Sequence, residues 1–279
     1  MIRNLTHRLL KRLKRWDRTQ PFTKRQQFVV ITILLTVLLM FTQLVPLDFR
    51  YPMVGVIFMA SFLLTALGLR DDLSRVEWAT LLILPSFFTA AVALFYFLLP
   101  TRWVTRLPIA ALYAVGMYAL LLTENIYNVA AARTIALLRA AHSVGFLLTL
   151  VTYFLLIQTV LAYRFSGWAI TLLVGMMTYP LTLQIIWAIT LEPTVAKRVK
   201  DITMMITLVL SELAWIFSFW PVRTTLLALF LTTCFYGMVG MGQQYLADRL
   251  YKRTVWEFFS VVAIVFTIVM VTVDWRVAL

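Results

Sequence analysis

One cysteine, Cys234, and two histidines, His7 and His142, are the only soft metal ligands in the chain apart from its methionines. A lone cysteine excludes a disulfide within the chain and a thiolate metal cluster. The histidines stand far apart, in no HExxH-type spacing, which excludes a zinc site of that kind. Charge is scarce too. Asp, Glu, Lys and Arg make up 13% of the residues, against about 25% in soluble domains. That shortage excludes a soluble globular domain. All six lysines lie outside the long apolar stretches, so none is placed to hold a Schiff-base chromophore inside a membrane. There is no GxxxxGK[ST] loop to cradle a nucleotide and no glycine-rich loop of the selectivity-filter kind. The sequence therefore names no catalytic residue, no metal and no cofactor.

Apolar side chains are present in excess. They make up 62% of the 279 residues, and the mean hydropathy is +0.89. A bilayer-spanning helix needs about 20 apolar residues. Nine stretches approach that length, at about 27–46, 51–69, 77–99, 107–123, 142–163, 168–191, 202–219, 223–241 and 256–274. The fold class expected is all-α, a polytopic transmembrane bundle of about nine spans. Trp78, Trp103, Trp168, Trp220, Trp256 and Trp275 fall near span ends, where aromatic belts sit. Pro85 and Pro180 fall inside spans and are expected to kink them. Gly237, Gly240 and Gly242 make a small-residue face for close packing.

The net charge of +13 is unevenly spread. Residues 1–26 carry nine basic groups and one acid, Asp17. Within them, Ile2, Leu5, Leu9, Leu13 and Trp16 recur every three or four positions opposite an arc of Arg and Lys. This reads as an amphipathic arm lying on anionic lipid headgroups, or docking a cytoplasmic protein subunit, with no nucleic-acid role. The arm ends without a cleavage-type site, so 27–46 is expected to stay as the first span. With the N-terminus inside, nineteen basic residues fall in cytoplasmic segments and six in external ones. That bias gives a cytoplasmic N-terminus and an external C-terminus, as in a bacterial inner membrane. Residues 125–141 are expected to form a helix along the cytoplasmic interface, with 27–279 as a single transmembrane domain.

Two segments resemble each other. Pro100-Thr101-Arg102 and Pro221-Val222-Arg223 each separate an aromatic-rich stretch from an apolar span. Beyond them, Glu124 to Tyr127 corresponds to Gln243, Gln244 and Tyr245. The offset of about four spans suggests two parallel four-helix repeats plus a ninth helix, a plan used by transporters.

Ionisable groups within a membrane are functional candidates by default. Glu212, in Ser211-Glu212, lies inside a span, with Gln158 and Gln184 as candidate partners, so these four form one expected substrate-binding set. The second set is Glu124, Asn125, Asn128, Arg139 and His142 at the cytoplasmic interface. On a continuing helix, Glu124, Asn128, Arg139 and His142 fall on one stripe. The bland reading of the first set is a neutral interhelical hydrogen bond, and of the second a solvated helix cap. The expected function is transport or lipid handling around Glu212. The alternatives are a scaffold subunit of a larger complex and a membrane-embedded enzyme on a lipid-linked substrate.

Overall fold

In a computed structural model, residues 23–42, 44–70, 80–99, 103–130, 137–192 and 194–272 are described. Among them there are nine helices and no strand. They are α1 (Lys24–Thr42), α2 (Leu47–Leu69), α3 (Ile83–Phe97), α4 (Trp103–Ala130), α5 (Leu138–Ala162), α6 (Gly167–Thr190), α7 (Lys197–Phe217), α8 (Thr224–Leu246) and α9 (Lys252–Thr272). The amphipathic arm over residues 2–16 lies outside the described residues.

Seven helices are long and apolar enough to cross a membrane. The other two are α3, with 15 residues, and α7, which carries Lys197, Arg198, Lys200, Asp201 and Glu212. Both nevertheless take part in a strict alternation of direction. At the end where α1 begins, here called proximal, Ile31 of α1 packs against Gly68 of α2, and Asn128 of α4 bonds Leu69 of α2. At the same end His142 of α5 meets Ala188 of α6, Ile202 of α7 meets Gly242 of α8, and Phe258 of α9 meets Gly240 of α8. At the distal end Arg50 of α2 lies over Phe97 of α3, and Tyr51 of α2 bonds Tyr163 after α5. There too, Ser218 after α7 abuts Gly167 of α6, and Gln158 of α5 bonds Thr225 of α8. Each helix thus reverses the one before it.

The neighbour pattern divides the bundle into quartets. In α1–α4, α1 packs on α2 and α4, and α3 packs on α2 and α4. In α5–α8, α5 packs on α6 and α8, and α7 packs on α6 and α8. The two patterns correspond under a shift of four helices, the arrangement that two parallel repeats plus a ninth helix would give. The quartets join where α3 and α4 meet α5 and where α3 meets α6. Helix α9 packs on α8, and of its 21 residues only Val269 is buried.

Three local expectations change. Pro85 is the third residue of α3, because the helix begins at Ile83. Proline is tolerated in a first turn, where its missing N–H would lack a partner anyway. Its carbonyl instead accepts from Ser61 and Thr89, and Thr89 continues to the Tyr113 hydroxyl. Pro180 does lie inside α6. The expected interfacial helix over 125–141 does not stand apart at its ends. Residues 125–130 extend α4, and 138–141 open α5. The three glycines pack closely but do not share the one face expected: Gly237 and Gly240 lie against α9, and Gly242 lies on another side of α8 against α6 and α7.

Candidate functional site

Helix α4 ends in a run of buried residues: Thr123, Glu124, Tyr127 and Asn128. Glu124 and Asn128 are one turn apart and share a face. Glu124 is fully buried, and Asn128 is 1% exposed. Gln184 of α6, also buried, donates its Nε2–H to Glu124 Oε1 at 2.6 Å. Asn128 donates its Nδ2–H to the carbonyl of Leu69, the last residue of α2, at 3.2 Å. Three acceptor oxygens are left without a hydrogen-bond partner: Glu124 Oε2, Asn128 Oδ1 and Gln184 Oε1. Many buried threonines avoid this problem by bonding the carbonyl one turn back in their own helix. Thr149, Thr159, Thr178 and Thr207 do so. A carboxyl or amide acceptor oxygen has no hydrogen to give a carbonyl, so these unmatched oxygens await a donor from elsewhere.

The last two turns of α6 gather the surrounding polar groups. His142 Nε2 lies 2.8 Å from the Ala188 carbonyl. A carbonyl only accepts, so Nε2 carries the hydrogen. Gln243 of α8 reaches the Ile185 carbonyl at 3.4 Å, and the buried Trp187 donates to the Glu192 carbonyl at 2.9 Å. The chain leaves through Leu191 in the left-handed region, with φ 48°. Tyr127 donates to the Ala141 carbonyl at 3.0 Å, and its ring lies 5.5 Å from that of His142. Gly145 makes room for this, since a Cβ there would stand 2.6 Å from the Tyr127 hydroxyl.

This arrangement redraws the sequence-based sites. Glu124, Asn128 and Gln184 come together, and His142 lies close by. Asn125 is half-buried and Arg139 is exposed. The single stripe expected for the second set does not form, because α4 and α5 run in opposite directions. The first set disperses. Glu212 is exposed on the outer face of α7, so the substrate-binding set expected around it is corrected. The inward face of α7 is Thr203, Ile206, Thr207, Leu210, Ala214 and Phe217. Glu212 is two residues from both Leu210 and Ala214, about 200° around the helix. Ser211 packs beside Gly175. Gln158 lies at the distal end on Thr225, the opposite end from Gln184. The inward stripe of α7 is legible in the sequence and would have turned Glu212 outward.

Chemically, the cluster offers a carboxyl group and two amide oxygens in an apolar interior. It suits a small cation, a proton or a ligand rich in hydrogen-bond donors. It holds no nucleophile paired with a base. Ser143 is exposed and bonds its own helix at the Arg139 carbonyl. Among the described residues no three His, Cys, Asp or Glu side chains gather as a metal site.

A helical bundle of this kind, with seven apolar helices of spanning length and a polar cluster inside it, is a multi-pass membrane protein. Its family can be stated more narrowly. Residues 59–272, from within α2 to the end of α9, match the family model described as protein of unknown function (DUF5656), and the chain belongs to that family. No curated protein and no solved structure matches it.

Proposed function

We propose that this protein is a transport or lipid-handling protein whose polar intramembrane site is built from Glu124, Asn128 and Gln184. The observation that carries the reading is the set of three buried acceptor oxygens without partners. Leaving a buried acceptor unmatched costs about 1–3 kcal/mol, and intramembrane ionisable groups are retained chiefly for function. The corresponding neighbour patterns of the two quartets support the same reading, since transporters place their sites between repeats. The proximal end is assigned to the cytoplasm, because nineteen of the 25 basic residues fall on that side of the alternation. A bacterial inner membrane suits this orientation.

The test is native mass spectrometry of the protein extracted gently with its surrounding lipid. Wild type and Glu212→Gln are expected to retain the same small molecule, lipid or cation at fixed stoichiometry, and Glu124→Ala to lose it. Equal retention by Glu124→Ala would reject the site.

A second reading is favoured by one observation. Glu212 lies on the outer face of α7 beside the exposed Met205 and Leu208. An acid facing lipid is costly, and the face of another subunit would shield it. In this scaffold reading, crosslinking recovers a stoichiometric neighbour from wild type and not from Glu212→Ala. A protein that purifies alone, with no crosslinked neighbour, removes it.

A further inference from the structure

The distal end carries a second feature, independent of the Glu124 cluster. A cavity of about 510 Å³ opens between the α5–α6 turn and the α7–α8 turn. That size lies within the range of ligand sites. Arg164 and Arg223 line its rim, and Leu161, Phe217 and Leu227 line its wall. No acid lines it.

Three observations bear on these arginines. Neither guanidinium group has a hydrogen-bond or ion-pair partner among the described residues, whereas Arg50 at the same end donates to the Val45 carbonyl and lies over the Phe97 ring. Both sit at the wrong ends of helices for a cation. Arg223 is the N-cap of α8, and Arg164 lies two residues before Ser166, the N-cap of α6. Helix amino termini carry partial positive charge and favour anions. Neither of these two termini is capped by a side chain, so their first-turn N–H groups lack partners within the helix. Finally, Arg164 holds a left-handed backbone, φ 49°, at a helix end where glycine is the usual residue. An anion between the two turns would answer all three features: it would pair the guanidinium groups, accept from the helix N–H groups and reward the strained arginine.

We propose that this cavity binds a phosphate group through Arg164, Arg223 and the amino terminus of α8. Arginine suits phosphate because its planar fork donates two hydrogen bonds at once. The source favoured is the headgroup of an anionic lipid in the distal leaflet, because the apolar wall lies beside the arginines where an acyl chain enters. A soluble phosphate shares the same headgroup chemistry.

The experiment titrates the full chain in detergent with phosphatidylglycerol, and separately with inorganic pyrophosphate, and counts bound molecules by native mass spectrometry. One phosphatidylglycerol is expected to remain bound to wild type. Affinity is expected to fall about ten- to a hundredfold in Arg223→Gln and in Arg164→Gly, the factor one charge-assisted hydrogen bond is worth. Arg164→Gly suits its backbone and is expected to be at least as stable as wild type, which separates lost binding from lost folding. Lys252→Gln, at the other end, should leave binding unchanged. Pyrophosphate binding that is lost in the same two variants, with no lipid bound, would assign the site to a soluble phosphate. Unchanged lipid binding in both arginine variants, or no binding of either probe by wild type, overturns the proposal.

Discussion

Replacing Glu124 and Gln184 together by leucine should make the protein more stable while destroying its site. The wild-type cluster contains one hydrogen bond between the two residues and, on the same pair, two buried oxygens without partners. An unmatched buried acceptor costs about 2 kcal/mol, and a hydrogen bond between neutral groups contributes about 1 kcal/mol. The double substitution removes both orphan oxygens and the one bond, for a net gain of about 3 kcal/mol. Glu124→Leu alone should behave oppositely. It removes Glu124 Oε2 but strands the Gln184 Nε2–H, so the number of orphans is unchanged while the bond is lost. The single variant should be less stable than wild type by about 1 kcal/mol and less stable than the double by about 4 kcal/mol. The assay is reversible unfolding in mixed micelles on dialysed protein, since a retained ligand would stabilise wild type alone. A double variant less stable than wild type would refute the reasoning, because the two oxygens would then already be paired in the folded protein.

Other outcomes follow from single contacts. Gly145→Ala places a Cβ 2.6 Å from the Tyr127 hydroxyl and should cost about 1–3 kcal/mol in the same assay, through overpacking and a broken Tyr127–Ala141 bond. Tyr153→Phe loses its hydroxyl contact with Thr178 and should cost about 1 kcal/mol without altering ligand retention. Cys234 is buried and should resist maleimide labelling of the native protein. On that silent background, Ser166→Cys and Lys252→Cys should label from opposite faces of the membrane, and labelling from one face would break the alternation.

Much of the fold is legible because apolar runs and polar breaks are the strongest signal a sequence carries. Each of the nine expected stretches overlaps one of the helices observed, and α4 is the one most lengthened. The bounds expected for the interfacial helix shift at both ends because nothing between Glu124 and His142 punctuates the chain. A sequence without proline or glycine there does not say where one helix stops, and α4 runs on to Ala130. The site was half legible. Glu124 and Asn128 share a face by spacing alone. Gln184, the partner of Glu124, lies 60 residues away, and periodicity within one helix does not say which neighbour it meets. Glu212 was drawn inward by being an acid within an apolar run, although the stripe from Thr203 to Phe217 already turned it outward. The arginines of the distal cavity entered only the topology and, for Arg223, the internal repeat, since their idle guanidinium groups become visible only when the two turns are set side by side.

The seam between the quartets is stitched at both ends, by unlike materials. Near α1 it is held by the Glu124–Gln184 bond and the Tyr127–Ala141 bond, both buried. At the far end it is held by the hydroxyls of Tyr51 and Tyr163, 3.2 Å apart and exposed. If one quartet tilts against the other about an axis between these stitches, it stretches one as it relaxes the other. The two distances are then opposite hands of one gauge. A spectroscopic ruler across α2 and α5 at the far end would report, by its shortening, the moment at which the acid lets go of its amide.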